Sequence, residues 1–324
     1  MPEPSPRSTR TVNDSAEDVS LSVLEAAPGA SPPVDRLGPD LEPLTEAPED
    51  PKYVRKRWGL GFWLAATWLG LLLFGALFAA WLPIADPNET FRGLSREGPS
   101  LDHWFGGDNI GKDIFSRCVY GARKSLAVGV FAYAGALVIG GTFGLVAGYY
   151  RNRIETTITG ALDVMLAFPP LVLLIAIGAF LGTETKNLIM ALTILAVPSV
   201  ARIVRALVLT YREREFVLSA RALGTRNMRV MIRDILPNVI PTVGAFALIG
   251  VANLIVAEGA LAFVGVSDPN EVSWGVMINQ GRDQIDRASH IVVFPSMMIF
   301  LTVLSMNYMG DRIRERLAVK ESNV

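Results

Sequence analysis

Chemically reactive side chains are scarce in this sequence of 324 residues, which contains one cysteine and two histidines. The single cysteine, Cys118, excludes an internal disulfide, and we interpret it as a small packed residue. The histidines, His103 and His290, are far apart in the sequence and belong to no cluster of metal ligands. No nucleophile is accompanied by a base at a known motif spacing. We therefore expect a chain that is not an enzyme and binds no metal.

Charge is also missing from long stretches, and 51% of the residues are hydrophobic. Phe62–Leu82 and Leu126–Tyr150 contain no charged residue, and about 20 apolar residues are enough to cross the ~30 Å of a bilayer core. Unpaired backbone groups are not tolerated in lipid, so each crossing should be a helix. The sequence predicts an all-α fold, an integral membrane bundle of six transmembrane helices. The other four spans are predicted at about Thr156–Gly182, Asn187–Leu209, Asn238–Val266 and Ile291–Gly310.

The first 50 residues differ from the rest, with eleven acidic residues, three arginines, nine prolines and no aromatic residue. Such a segment cannot bury enough apolar surface to fold, and it lacks the pattern of a signal peptide. We predict a disordered acidic, proline-rich tail at 1–57 that ends in a basic juxtamembrane segment. The first transmembrane helix and an extracytoplasmic loop follow at 58–123, and a transmembrane core at 124–318.

Lysine and arginine counts predict the orientation. With both termini in the cytoplasm, the inner segments hold 18 basic residues and the outer segments hold nine. This arrangement predicts a multi-pass protein of the cell membrane with the loop at 211–237 inside. Aromatic residues that can anchor helices at the membrane surface lie at or near the span ends: Trp58, Trp63, Trp81, Tyr149, Tyr150 and Tyr308.

The loop at 211–237 combines six arginines and three acids with two short apolar stripes at helical spacing. Phe216, Ala220 and Leu223 form the first stripe. Met228, Met231, Ile232 and Ile235 form the second. Gly224 lies between them, where a helix would end with positive φ, and Pro237 is placed to open the next element. We predict a helix–turn–helix with a small apolar face that docks on another protein. The alternative is an amphipathic segment resting on the lipid surface.

Ordered motifs cover about residues 58–318 and resemble one family. ARALG at 220–224 and ILPN at 235–238 resemble the cytoplasmic "EAA" loop of ATP-binding-cassette importer permeases, and the subfamily is the second permease subunit of dipeptide and oligopeptide importers. Two positions depart from the pattern: Leu218 replaces the loop's glutamate, and Gly107 replaces a threonine. Further similar runs are the whole segment at 106–126, LDVMLAFPPL at 162–171, REREFV at 212–217, AEGALAFVG at 257–265, SWG at 273–275 and NYMGDRIR at 307–314.

The resemblance implies a type I ABC importer permease that forms half of a translocation pathway. It implies four kinds of partner: a homologous permease subunit in a heterodimer, two ABC ATPase subunits, an extracytoplasmic substrate-binding protein and membrane lipid. ATP and magnesium would be bound by the ATPase subunits and no cofactor by this chain. The loop would insert into an ATPase cleft through Glu215, Phe216, Val217, Ser219, Ala220, Arg221, Ala222, Leu223, Gly224, Thr225, Arg226, Met228 and Arg229.

The substrate remains open at this point. Permeases resembling this one handle dipeptides, longer peptides and nickel chelates, and the residues visible here do not decide among them. An ion-coupled secondary transporter is an alternative that predicts uptake after ATP depletion. An intramembrane enzyme would need paired catalytic groups at one depth, whereas the two acids within spans lie at opposite ends.

Those two acids, Asp163 and Glu258, line the path or a gate in one interpretation, and hold helices together by an ion pair or hydrogen bond in the other. Arg202 and Arg205 are interpreted as membrane-surface anchors. Small residues at Gly140, Gly144 and Gly148 predict close packing within the bundle or against a partner permease, the alternative being glycines tolerated on a lipid-facing surface. Proline residues should interrupt helices within spans: Pro169, Pro170, Pro198 and Pro295.

The segment Gly106–Asp113 comes close to a phosphate-binding loop. It has Asp113 where that loop needs a serine or threonine for Mg²⁺, no apolar strand precedes it, and the orientation places it outside. We therefore reject nucleotide binding. Nucleic-acid binding is equally unsupported, because the arginines cluster beside membrane spans.

Overall fold

A computed structural model describes residues 58–321, and the predicted tail and basic segment at 1–57 lie outside the described residues. Within the described range the secondary structure is helical, and only an isolated bridge between Gly107 and Asp113 resembles a strand pair. The predicted all-α class is confirmed. In chain order the helices are α1 (Leu60–Phe78), α2 (Ile114–Tyr149), α3 (Arg153–Leu166), α4 (Pro170–Leu181), α5 (Thr185–Arg212), α6 (Glu215–Ala222), α7 (Asn227–Val264), α8 (Trp274–Gly281) and α9 (His290–Glu321).

Five of these helices, α1, α2, α5, α7 and α9, are long and apolar enough to cross a membrane. The predicted third span is not a straight helix, because α3 and α4 are bent by 84° relative to each other. The bend follows from Pro169, which is extended with ψ of 125°, and from Pro170, which has no N–H to donate back into α3. The predicted six crossings hold if the bent pair counts as one span.

Several helices extend beyond the predicted spans. α2 starts at Ile114 instead of Leu126, because the Asp113 carboxylate accepts a hydrogen bond from the backbone N–H of Ser116 at 2.7 Å and caps the helix. Pro237 lies in the first turn of the α-helical part of α7, Leu236–Val264, in agreement with its predicted place at the opening of an element. The chain before it is also helical, because α7 continues from Asn227 through a π-helical segment at Val230–Ile235. Pro198 and Pro295 do not interrupt their helices, contrary to the prediction, and lie within continuous helices.

The centre of the bundle is the contact between α2 and α5, with α7 packed on both and α1 packed on α9 and α2. The glycines at positions 140, 144 and 148 are buried on the α5 side of α2. A Cβ atom added at Gly140 would lie 2.6 Å from the carbonyl oxygen of Val197, and one at Gly148 would lie 2.9 Å from that of Arg205. The two backbones therefore approach as closely as a small-residue ridge allows.

The long loop at 83–113 is fastened to the start of α2 by a buried ion pair between Asp108 and Arg117. The other Asp108 oxygen accepts hydrogen bonds from the backbone N–H groups of Ile110 and Lys112, each at 2.9 Å. At Gly107 an added Cβ would collide with the backbone of Leu94. The threonine of the family pattern therefore does not fit this loop, which accounts for the departure at this position.

Candidate functional site

The candidate site is the short helix α6 and the turn after it. α6 ends in a Schellman motif, in which the N–H of Thr225 donates to the carbonyl of Ala220 at 3.1 Å and the N–H of Gly224 donates to that of Arg221 at 2.9 Å. Gly224 has φ of +77°, as its place in the sequence predicted. This motif reverses the chain between α6 and the start of α7.

Apolar side chains of this segment divide into a buried set and an exposed set. Val217 and Val230 are fully buried and join the main core, so α6 is anchored on the end of the bundle. Leu223, beside the turn, is 86% exposed. The other large apolar side chains that remain exposed in the segment are Phe216, Leu218, Met228 and Ile232. Both predicted stripes thus contribute to the exposed set, whereas Met231 and Ile235 of the second stripe are buried.

The remaining predicted loop residues lie around this helix. Leu218, at the position of the family's glutamate, is 51% exposed, so no carboxylate is offered there. Glu215 lies in the first turn of α6, where a negative charge favours the helix dipole. Exposed positions are Glu215, Ser219, Ala222, Arg226 and Arg229, and half-buried positions are Ala220, Arg221 and Thr225.

Tyr149, the last residue of α2, contacts both sides of the turn. Its hydroxyl donates to the side-chain oxygen of Asn227 at 2.8 Å, and the Arg221 guanidinium lies 4.6 Å from the centre of its ring. The Arg212 guanidinium lies 6.0 Å from the same ring. Since α2 is 36 residues long, one continuous helix connects the site to the opposite end of the bundle.

Two ion pairs join α3 to α5. Asp163 pairs with Arg202 at 2.5 Å, and Glu155 pairs with Arg205. Both arginines, predicted as surface anchors, therefore have carboxylate partners. The Asp163–Arg202 pair is more than half exposed and lines a cleft of about 470 Å³ between α2, α3 and α5.

Glu258 of α7 is fully buried and lies in a different environment. Its carboxylate accepts a hydrogen bond from Ser125 of α2 at 3.2 Å, and the Ser125 hydroxyl accepts one from the backbone N–H of Trp274 at 3.4 Å. The Trp274 indole donates to the carbonyl of Cys118 at 2.9 Å. Sequence reasoning did not select Ser125 or Trp274, although both lie inside runs that resemble the family.

Asp163 and Glu258 are not brought together. Asp163 shares its cleft with Gly144, whereas Glu258 contacts Ser125, and these two residues of α2 are about 28 Å apart along the helix axis. The two acids therefore lie toward opposite ends of the bundle.

A second group that the sequence did not suggest lies near the Glu258 end. Glu271, in the loop before α8, pairs with Lys124 of α2 and accepts a hydrogen bond from the Thr185 hydroxyl at the start of α5. Partial burial alone would raise the pKa of Glu271, but the bonds from Lys124 and Thr185 hold that pKa below its usual range. The charged carboxylate therefore ties this loop to two helices.

Comparisons with known proteins agree with this architecture. Residues 140–320 match the family model of the binding-protein-dependent transport system inner membrane component. The chain is 42% identical to the dipeptide transport system permease protein DppC of Alkalihalophilus pseudofirmus over 246 residues, 76% of this chain and 81% of that protein. It is 38% identical to the glutathione transport system permease protein GsiD of Escherichia coli over 258 residues, 79% of this chain and 85% of that protein.

Among solved structures, the fold is similar to a chain of the MetNI methionine ABC transporter in an inward-facing conformation, with a TM-score of 0.53 at 18% identity. That likeness covers 63% of this chain and 97% of the other, and concerns the fold alone. The family resemblance predicted from the sequence motifs is thus confirmed. The chain belongs to the family of binding-protein-dependent transport system inner membrane components, in which it is a permease subunit of an ABC importer and not an enzyme.

Proposed function

We propose that this subunit imports peptides, as half of a heterodimeric pathway with a homologous permease. Two ATPase subunits would drive the cycle, with ATP and magnesium bound to them, and an extracytoplasmic binding protein would deliver the substrate. Support for the substrate class comes from the relatives, which are named for a dipeptide and for glutathione. No cofactor is assigned to this chain.

The observation that carries the proposal is the exposed apolar surface of α6. Leu223 projects from a rigid turn, and Val217 anchors the same helix in the core. A large exposed leucine beside a fixed turn is costly in water and suits a partner cleft. We infer that the predicted coupling residues between Glu215 and Arg229 meet the ATPase there, and that the contact of Arg221 and Asn227 with Tyr149 transmits movement to α2.

The cleft with Asp163 and Arg202 is proposed as part of the path. An exposed ion pair on membrane-spanning helices is expensive in lipid, so it should face water or a polar partner. Charges of both signs also suit a short peptide, which carries an ammonium and a carboxylate. Glu258, whose hydrogen bonds join α2, α7 and α8, is proposed as part of a gate at the other end.

The orientation is part of the same proposal. We place the 211–237 loop and both termini, with the tail at 1–57, in the cytoplasm, and the 83–113 loop outside the inner or plasma membrane. The arginine-rich composition of the 211–237 loop supports this assignment.

The substrate and energy source are tested by uptake into proteoliposomes that contain this chain with its permease and ATPase partners, supplied with the purified binding protein. Labelled di- or tripeptide should accumulate only with ATP inside the compartment that holds the ATPases, and an ionophore should leave the rate unchanged. Accumulation without ATP that an ionophore abolishes would identify a secondary transporter. Accumulation of a nickel chelate, with peptides neither carried nor competing, would contradict the peptide assignment.

The orientation is tested with a membrane-impermeant maleimide on intact cells. Cys118 is buried and should give little background. We expect Ser100→Cys, in the exposed part of the 83–113 loop, to be labelled directly, and Arg214→Cys, at an exposed position of the 211–237 loop, to be labelled only after the membrane is opened. Direct labelling of Arg214→Cys alone would reverse the assignment.

A further inference from the structure

A basic cavity lies beside α6, between the ends of α2 and α5. It has a volume of about 420 Å³, within the ~300–1,000 Å³ typical of small-molecule sites. Arginines from three segments line it: Arg151 after α2, Arg212 at the end of α5, and Arg221 on α6. Tyr149, Tyr150, Asn152, Thr225 and Asn227 complete the lining.

The positive charge of this cavity is only partly neutralised. Arg151 pairs with Glu213 at 3.0 Å, in an ion pair that is more than half exposed. Among residues 58–317, whose side chains the structure describes, neither Arg212 nor Arg221 forms an ion pair with a carboxylate. Both guanidinium groups instead lie near the ring of Tyr149. Three arginines against one glutamate leave an excess of positive charge in this surface cavity.

Two donors in this cavity are also without an acceptor. Nη1 of Arg212 and Nε of Arg221 are buried and have no hydrogen-bond partner within the described part of the chain. A buried donor without an acceptor is costly, more so when it is charged, so such groups normally have a bound acceptor. Planar arginine forks match the oxygens of a phosphate group better than lysine does.

The depth of the cavity indicates where the phosphate comes from. It lies where two membrane-spanning helices, α2 and α5, end together, and two adjacent tyrosines mark this level as the membrane surface. Phospholipid headgroups occupy that level, and basic cavities between helix ends bind anionic ones. We propose that this cavity holds the phosphate of an anionic phospholipid, which fastens α6 to the ends of α2 and α5.

The test is lipid retention by the full-length chain, purified in mild detergent with its permease and ATPase partners and analysed by native mass spectrometry with added phosphatidylglycerol or phosphatidylethanolamine. We expect wild type to retain phosphatidylglycerol preferentially. The double variant Arg212→Gln/Arg221→Gln should retain about tenfold less, because it removes both charge-assisted forks. The matched control, Arg214→Gln/Arg233→Gln, removes two exposed arginines of the same loop and should retain as much as wild type.

A second variant separates lipid binding from loss of fold. Arg212→Lys/Arg221→Lys keeps both charges and removes only the planar forks, so it should fold and retain an intermediate amount of phosphatidylglycerol. Equal retention by wild type, the Gln pair and the Lys pair would overturn the proposal. The readout needs no ATP and no transport, so it can fail while the importer function stands.

Two other outcomes would assign the cavity differently. In the first, inorganic phosphate raises the melting temperature of delipidated wild type but not that of the Gln pair, and phosphatidylglycerol changes neither melting temperature. This result would indicate a free anion as the ligand. A Gln pair that keeps its lipid but loses the ATPase subunits would indicate an acidic side chain of the ATPase. Either result would overturn the lipid assignment.

Discussion

Replacing Gly224 with aspartate is expected to abolish ATP-driven uptake and association with the ATPase subunits, while the chain remains inserted in the membrane. No atom lies within 4 Å of a Cβ added at this position, so the side chain meets no obstacle inside the chain. Aspartate also tolerates the left-handed backbone, here at φ of +77°, better than most residues. The fold should therefore survive.

The damage is expected at the docking surface. Position 224 follows Leu223, the most exposed large apolar side chain of the segment, so a carboxylate here would enter the proposed ATPase cleft. An unpaired charge buried in an interface costs about 3 kcal/mol or more, which corresponds to a loss of affinity of more than about a hundredfold. The measurements are co-purification of the ATPase subunits and peptide uptake in proteoliposomes.

Two variants isolate the cause. Gly224→Asn has nearly the same shape and backbone tolerance without the charge, and should keep most of the ATPase association. Gly93→Asp places the same side chain at φ of +90°, also with no atom within 4 Å, in the 83–113 loop at the opposite end of α2. It should leave ATPase association intact. Normal uptake by Gly224→Asp would show that α6 is not the coupling element.

Hydropathy was sufficient to predict the crossings but not their geometry. The length of an apolar run shows which residues can cross the hydrocarbon core of the bilayer. The helix itself can be longer, because it continues wherever its backbone groups can still be paired. α2 therefore extends back to Ile114 through a polar stretch that the span rule ignores. The 84° bend at Pro169–Pro170 was not predicted for a related reason. A proline pair shows where a helix can break but not the angle between the two halves.

The sequence indicated which charged residues lie within or beside the spans, but not which of them form ion pairs with each other. Arg202 and Arg205 lie near the end of a span, which predicts anchors when the span is considered alone. Their carboxylate partners belong to α3, and only the register of α3 against α5 brings Asp163 and Glu155 within reach. Similarly, the contact of Glu258 with Ser125 depends on how α7 packs on α2, which no local pattern contains.

The α6 turn was predictable because its determinants are local. A glycine after a short amphipathic stretch specifies a helix end, and the Schellman bonds around Gly224 use only neighbouring residues. A helix after the turn was also predicted, but the local pattern did not show that a π-helical segment at Val230–Ile235 makes the second stripe continuous with the membrane-spanning part of α7. Half of that stripe consequently faces the core.

Replacing Gly144 with valine is expected to cause the largest loss of stability. A Cβ at this position would lie 2.5 Å from the carbonyl oxygen of Ala201 and 3.0 Å from the backbone nitrogen of Arg205. Backbone atoms of a packed helix cannot move aside as a side chain can, so α2 and α5 would have to separate. Overpacking a core costs about 1–3 kcal/mol, and we expect at least the upper end here because the contact is central to the bundle.

The control for this prediction is in the same helix. Gly141→Val makes the same chemical change with no atom within 4 Å of the new Cβ, so helix propensity and added apolar volume are matched. Thermal unfolding of the two variants in detergent should give a much lower melting temperature for Gly144→Val, or no folded protein at all, and a value near wild type for Gly141→Val. Equal melting temperatures would mean that the ridge of Gly140, Gly144 and Gly148 does not set the distance between α2 and α5. The close approach of those helices, and with it the rigid connection from the coupling turn to the rest of the bundle, would then need another cause.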